Sequence, residues 1–240
     1  MKNLFIIMAI VIVFIGCSSK NPNFFTDEIY QEKVLLAAKN YKDLIKIYRE
    51  KLEKKDTPKT RLKLAQYYYE AQDYHSVFYY LHPLVEAKSS PEALLLYSKA
   101  LEIMGNHKEA LEMLDILTNI NKNIAEAYNL KGIIYASLKK FVLAKQNFLQ
   151  AKELFLKDSI INTNLAMMAI LEQKYPEAIN YLMPLYKRGY KDSKIINNLI
   201  FALIKDNKSN IALEIIQKEN LSKSPRNFVR NLQKVKAKNL

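Results

Sequence analysis

Small and apolar residues recur along this chain with a period of 33 or 34 residues. Successive units begin near Pro58, Pro91, Ala125, Ser159 and Ser193, which are 33, 34, 34 and 34 residues apart. Each unit contains two segments in which apolar residues follow the i, i+3, i+4, i+7 spacing of a helix. A hairpin of two such helices cannot bury both apolar stripes by itself. The period therefore predicts an all-α chain in which helical hairpins stack on one another.

The unit at residues 125–151 carries the most complete pattern, and it reads AEAYNLKGIIYASLKKFVLAKQNFLQA. It departs at Lys131 from the tetratricopeptide repeat (TPR), which usually has Leu there. It resembles that repeat at six positions, which are Tyr128, Gly132, Tyr135, Ala144, Phe148 and Ala151. The resemblance implies a TPR superhelix of about five helix-turn-helix repeats over residues 58–221.

Shorter elements flank this array. Residues 25–57 are predicted to form a degenerate first repeat, and residues 222–240 a C-terminal capping helix followed by a frayed tail. Within the array, Pro83 and Pro184 fall in the last turns of second helices. We expect both prolines to kink or shorten those helices, because proline removes a backbone hydrogen bond there.

The composition excludes several classes of protein. With only four glycines, the chain has no glycine-rich phosphate loop. Its single cysteine excludes an internal disulfide framework and a cysteine-based zinc site. The three histidines, His75, His82 and His107, have no evident third partner for a metal site. We therefore expect no enzyme activity, no cofactor, no metal and no small-molecule substrate.

The N-terminal segment determines the expected compartment. Twelve apolar residues, Leu4 to Ile15, follow a short charged start and precede Gly16 and Cys17. Twelve helical residues cover about 18 Å, which is too short for a bilayer core of about 30 Å. A charged start, a short apolar stretch and a small residue before the cleavage site are typical of a secretory signal peptide. We predict that residues 1–16 are this signal peptide.

The same segment resembles the lipobox of bacterial lipoproteins, although Phe14 stands where Leu is usual. The resemblance implies that Cys17 carries the lipid and that residues 17–24 form the lipidated start and a short tether. Ser18 after the cysteine implies the periplasmic face of the outer membrane. An uncleaved anchor, or a soluble periplasmic protein with a free thiol, stays open as an alternative.

The net charge is +13, from 37 basic and 24 acidic residues. Nucleic acid is not a periplasmic partner, so the expected compartment excludes it. Anionic lipid, peptidoglycan carboxylates and an acidic protein face are possible partners. Solvated lysine-rich helix faces explain the same charge without any partner.

Function must then come from surface recognition by a protein partner. By resemblance to the repeat family, the first helix of each repeat lines the inner groove of the superhelix. The predicted partner-binding residues are Lys99, Glu102, Asn129, Ile133, Thr163, Met167, Ile170 and Phe201. The fourth repeat contributes mostly apolar residues to the groove, which suits an extended or helical partner segment. Alternatively, the C-terminal helix folds back over this apolar patch.

A lipobox followed by a small TPR array resembles the TadD family, the lipoproteins of the tight-adherence (Flp) pilus system. The matching stretches read AAKNYKDLIKIYREKL, ALEIMGNHKEALEML, NNLIFALIKDNKSNIALEII and NFVRNLQKV. The resemblance implies a pilotin-like protein that binds a secretin or another pilus-assembly component. Two other groups share this organisation, the type IV pilus pilotins and the NlpI-like adaptors that recruit peptidoglycan hydrolases. A structural dimerisation module is a further possibility.

Overall fold

The computed structural model describes residues 24–235, and this part of the chain consists of thirteen α-helices without any strand. Consecutive helices pair into six hairpins, α1–α2 to α11–α12, and α13 follows them. The helices are α1 (Phe24–Ala37), α2 (Tyr41–Lys54), α3 (Pro58–Glu70), α4 (Tyr74–Glu86), α5 (Pro91–Ile103), α6 (His107–Ile120), α7 (Ala125–Ser137), α8 (Phe141–Glu153), α9 (Asp158–Leu171), α10 (Tyr175–Lys187), α11 (Ser193–Lys205), α12 (Ser209–Lys218) and α13 (Pro225–Lys234).

The hairpins stack into a TPR-type superhelix, which confirms the predicted fold class. Each apolar cluster joins the second helix of one hairpin to the first helix of the next. For example, Leu114 and Leu117 of α6 share a cluster with Leu130 and Ile134 of α7. Five such clusters follow one another along the described chain. Neighbouring hairpins therefore bury the stripes that one hairpin alone would leave exposed.

Side-chain caps fix where several helices begin. The Thr57 hydroxyl accepts a hydrogen bond from the Thr60 amide at 3.1 Å, and the Ser90 hydroxyl accepts one from the Ala93 amide at 3.1 Å. Each of these caps precedes a proline at the first helical position, where proline needs no hydrogen-bond partner. Capping and proline together explain why α3 and α5 start at Pro58 and Pro91.

One residue in left-handed conformation closes the turn inside every hairpin. These residues recur at the repeat period and are Lys39, Gln72, Gly105, Lys139, Gln173 and Asn207, with φ between 52° and 78°. The residue after each one donates its amide to a carbonyl five residues earlier, as in Asp73 to Tyr68 at 2.9 Å. Only Gly105 among them is a glycine, so the turns need few glycines.

The two interior prolines do not shorten their helices, so this part of the expectation was wrong, while a kink at either proline stays a prediction. Pro83 lies inside α4 and Pro184 inside α10, and each helix runs for 13 residues. This is also the length of α3 and α5. Both prolines lie three residues before the last helical residue, so each helix completes its final turn beyond the missing amide donor.

Helices α7 and α8 approach closely at Gly132. A Cβ atom placed on this glycine would lie 2.5 Å from two ring carbons of Phe148. The Phe148 ring is buried, and Ala144 and Ala151 on the same face of α8 are fully buried. Position 132 thus leaves room for this ring because glycine has no Cβ atom.

The C-terminal helix continues the stacking of the array. Helix α13 packs against α11 and α12, as each earlier first helix packs against the preceding hairpin. Val229 is buried, and Phe228 and Leu232 pack on the same terminal cluster. Lys205 of α11 donates to the Gln233 carbonyl at 2.7 Å. Within the described residues, the backbone of α13 does not come close to the backbone of α9. Helix α13 therefore does not cover the apolar patch of the fourth repeat.

Polar contacts of Glu32 connect the first helix to the next two helices. Glu32 of α1 accepts a hydrogen bond from the Tyr48 hydroxyl of α2 at 2.6 Å and contacts Lys63 of α3 at 2.9 Å. The Tyr67 hydroxyl of α3 donates to the same carboxylate. Burial alone would raise the pKa of Glu32, but the hydrogen bonds from Tyr48, Tyr67 and Lys63 outweigh it and lower this pKa to about 2. One carboxylate thus joins three helices.

Candidate protein-binding surface

One wall of the superhelix is formed by helices α3, α5, α7, α9 and α11, which we call the inner helices. Each inner helix packs against the next one in the series, so their free side chains form a continuous surface. Six of the eight predicted groove residues lie half-buried on this surface, and they are Lys99, Glu102, Asn129, Ile133, Thr163 and Met167. Half-buried side chains on a shared wall are held in place by neighbours while still offering surface to a ligand.

Two predicted groove residues require correction. Ile170 is 0% exposed and Phe201 is 4% exposed, and both belong to the apolar core of the last repeats. Phe201 packs edge-on against Tyr175, with the ring centres 6.3 Å apart. These two side chains stabilise the contact between α9, α10 and α11 and offer no surface to a partner.

An amide pair connects two inner helices at the centre of this wall. The Asn164 side-chain amide of α9 donates to the Asn129 side-chain oxygen of α7 at 2.7 Å. Asn164 was not among the predicted residues, because the repeat pattern assigns its neighbour Thr163 to the groove. Asn164 follows Asn129 by 35 residues, which is one repeat of 34 residues plus one position. This spacing was the available sequence signal, because it places the two asparagines on adjacent inner helices.

Next to this pair, the inner wall opens into a cavity of about 400 Å³ between α9 and α11. The Thr163 hydroxyl donates to the Ser159 carbonyl at 2.6 Å, which fixes that side chain on the cavity wall. The cavity offers hydroxyl, amide and charged groups beside apolar ones, and its lining is Ser159, Ile160, Thr163, Asn164, Tyr190, Asp192, Lys194 and Ile195. Such a lining suits a peptide, because a peptide presents backbone polar groups and side chains together.

Helix α5 places an acidic and a basic side chain on the inner wall, Glu102 and Lys99. Burial raises the pKa of the Glu102 carboxyl, and the nearby His107 opposes this effect in part. Glu102 therefore takes up a proton more readily than an exposed glutamate does. Lys99, three residues earlier on α5, is half-buried and carries the opposite charge.

Residues that could bind a metal are dispersed. His82 contacts Glu86 at 3.4 Å on the surface of α4, and His107 lies at the start of α6. Between residues 24 and 235, no group of three histidine, cysteine, aspartate or glutamate side chains is arranged to hold a metal ion.

Cys17, the predicted lipidation site, lies outside the described residues. No helix in the described part of the chain is both long and apolar enough to cross a membrane.

The geometry defines a TPR scaffold of the kind suited to protein–protein interaction, and comparisons with known proteins agree with this class. Residues 37–116, one third of the chain, match the model of the family "Anaphase-promoting complex, cyclosome, subunit 3". No curated protein sequence matches the chain at a significant level. The comparisons indicate no catalytic family.

Solved TPR structures share the fold at low sequence identity. A TPR protein from Parabacteroides merdae is 14% identical, with a TM-score of 0.66 and 89% of each chain covered. A chain of the APC/C hetero-tetramer Cut9–Hcn1 is 16% identical at a TM-score of 0.66, over 84% of this chain and 42% of that one. A TPR protein from Thermus thermophilus is 18% identical at a TM-score of 0.63, over 75% of this chain and 98% of that one. At these identities the likeness concerns the fold alone.

Proposed function

We propose that this chain is a non-enzymatic lipoprotein of the outer membrane whose TPR array binds a protein during pilus or secretion-system assembly. The observation that carries the proposal is the inner wall of half-buried polar and apolar side chains, which follows a lipobox-like segment in the same chain. The partner we propose is a secretin or another component of a tight-adherence pilus. The basis for this choice is the resemblance to the TadD family.

The proposed anchor is Cys17, with its lipid in the inner leaflet of the outer membrane. Ser18 after the cysteine and the short polar tether predicted within residues 17–24 support this arrangement. Lipidation confines the array to a thin layer at the membrane, which raises the effective concentration of any partner that inserts there. The array then acts by holding its partner at the membrane, and no catalytic turnover is required.

The proposed binding site is the inner wall from α5 to α11. The amide pair Asn129–Asn164 and the cavity beside Thr163 support it, because fixed amide and hydroxyl groups hydrogen-bond well to an extended backbone. Lys99 would add an attraction for a carboxylate, and Met167 offers an adaptable apolar surface. An extended segment of the partner is thus the ligand that fits this wall.

The anchor is tested by the substitution Cys17→Ser. We expect the variant protein to fold but to leave the membrane fraction, with loss of lipid at residue 17 by mass spectrometry and impaired pilus assembly. Retention of Cys17→Ser in the membrane fraction would contradict the anchor.

The binding site is tested by capture from detergent extracts with a double variant, Asn129→Ala together with Asn164→Ala. We expect the intact array to capture a secretin or pilus component and the double variant to capture much less of it. The control is Lys145→Ala on the exposed side of α8, which should capture as much as the unmodified chain. Peptidoglycan hydrolases in place of pilus components would overturn the pilus assignment and favour the adaptor alternative.

A further inference from the structure

Helix α1 turns the carboxylates of Glu28 and Glu32 towards the array. Glu28, Glu32 and Leu35 lie on one side of the helix and are the half-buried residues between Glu28 and Ala38. Glu28 forms an ion pair with Lys51 of α2 at 2.9 Å, and Glu32 joins the cluster with Tyr48, Tyr67 and Lys63 described above. Between Glu28 and Ala38, α1 is therefore held to the array by two carboxylates and by the apolar side chain of Leu35.

The opposite side of α1 is apolar and exposed. At 100° per residue, Tyr30 and Val34 lie across the helix from the inward carboxylates, with Ile29 and Leu36 beside them. Tyr30 is 70% exposed, and the other three are between 38% and 55% exposed. Between Ile29 and Ala38 the only exposed charged side chain is the cationic Lys33. We call Ile29, Tyr30, Val34 and Leu36 the outer face of α1.

This arrangement reverses the usual order of an amphipathic helix on a protein surface, in which the apolar side packs on the core. The reversal turns Glu28 and Glu32 towards Lys51 and Lys63 of the array and away from a surface that lies on the outer side of α1. It presents apolar side chains, a tyrosine and a lysine outward, which is the composition of helices that lie in a membrane interface.

We propose that the outer face of α1 lies against the phospholipid bilayer and orients the array on the membrane. This inference rests on the proposed lipid anchor at Cys17. Helix α1 begins at Phe24, seven residues after that cysteine, and seven extended residues span at most about 25 Å. The bilayer is thus the surface that the tether keeps next to this face, while the exposed cation Lys33 favours anionic headgroups.

The test uses the lipidated chain, extracted in detergent and reconstituted into vesicles of phosphatidylethanolamine and phosphatidylglycerol. A cysteine introduced by Val34→Cys is labelled with an environment-sensitive dye, and Cys17 does not react because its sulfur carries the lipid. The matched control is Val142→Cys on α8, since Val142 is an equally apolar and 74% exposed residue of the third repeat. Flotation of the vesicles measures the anchor separately.

We expect the dye at position 34 to shift to shorter emission wavelength and to lose fluorescence when spin-labelled lipids are included, while the dye at position 142 does neither. Flotation without quenching at position 34 would overturn the membrane contact of α1 and leave the anchor intact. Failure to float would overturn both. A shift at position 34 that needs no vesicles and grows with protein concentration would assign the outer face to a second copy of the chain instead.

Discussion

The Lys131 ammonium of α7 lies 2.6 Å from the Asp115 carboxylate of α6, between two consecutive hairpins. The lysine side chain is 10% exposed, whereas the aspartate is 64% exposed. Lys131 also donates to the Thr118 hydroxyl at 3.0 Å. A lysine thus occupies an interface position where this type of repeat usually has leucine, and its charge is balanced by a partner that stays in water.

The unequal burial of this pair predicts unequal effects of removing either partner. Lys131→Leu leaves Asp115 solvated and adds apolar packing, so we expect a change between neutral and about 1 kcal/mol of stabilisation. Asp115→Ala leaves a buried ammonium with the Thr118 hydroxyl and the Tyr128 ring but no counter-charge, so we expect a loss of about 1–3 kcal/mol. Urea unfolding followed by circular dichroism measures both. A larger loss from Lys131→Leu than from Asp115→Ala would contradict this account.

The close contact at Gly132 predicts that even one added methyl group is harmful. Alanine favours a helix over glycine by about 1 kcal/mol. The Cβ of Gly132→Ala would overlap the Phe148 ring, and overpacking of this kind costs about 1–3 kcal/mol. We expect net destabilisation in thermal unfolding. The double variant Gly132→Ala with Phe148→Leu should lose less than the sum of the two single losses, and simple additivity would show that the two sites do not interact.

The fold was predictable because the repeat period and the apolar helical stripes both indicate stacked helical hairpins. Leu94, Leu114 and Phe148 fall on stripes that sequence spacing alone identifies, and all three are buried. Gly132 was likewise identified from the sequence, as one of the six positions that match the repeat. The left-handed turns were not predicted, because Gln72 and Lys139 give no local signal for positive φ. The prolines at 83 and 184 do not shorten their helices, because a helix tolerates the loss of one backbone amide donor near its end.

The candidate site was less predictable, because register along a helix does not determine burial. Ile170 and Phe201 share the register of groove residues, but the last repeats pack around them. Asn164 was missed because its hydrogen bond to Asn129 depends on the distance between two helices. The orientation of α1 was also unpredictable, since Glu32 is inward only through tyrosines that lie 16 and 35 residues away.

Substitutions at two equivalent left-handed turn residues should change the stability of the chain in opposite directions. Gly105 has φ of 78° and no atom within 4 Å of an added Cβ, so Gly105→Ala should cost about 1–2 kcal/mol from backbone strain alone. Gln72→Gly, at φ of 62°, should relieve that strain and stabilise the chain by up to about 1 kcal/mol. Thermal unfolding of both variants checks the pair. If both variants were stabilised, or both destabilised, backbone strain at these turns would not account for their stability.

The cluster around Glu32 predicts that the attachment of α1 weakens in acid. The folded pKa of about 2 lies below the ordinary value of 4.5, so the carboxylate stabilises the folded state fully above pH 4.5. This contribution is lost as the pH falls from 4.5 towards 2. Hydrogen exchange of α1, corrected for the intrinsic pH dependence, should show falling protection across this range, while the protection of α8 stays higher.

The substitution Glu32→Gln separates this effect from general acid denaturation. The variant keeps a hydrogen-bonding side chain but loses the charge, so at neutral pH we expect α1 to lose about 1–3 kcal/mol of protection. Its protection should then change less between pH 4.5 and 2 than that of the unmodified chain, because the Glu32 carboxylate is gone. Glu50→Gln removes an exposed carboxylate from α2 and serves as the matched control. If Glu50→Gln flattened the pH profile as much as Glu32→Gln does, the acid sensitivity of α1 would come from overall charge and not from the three hydrogen bonds to Glu32.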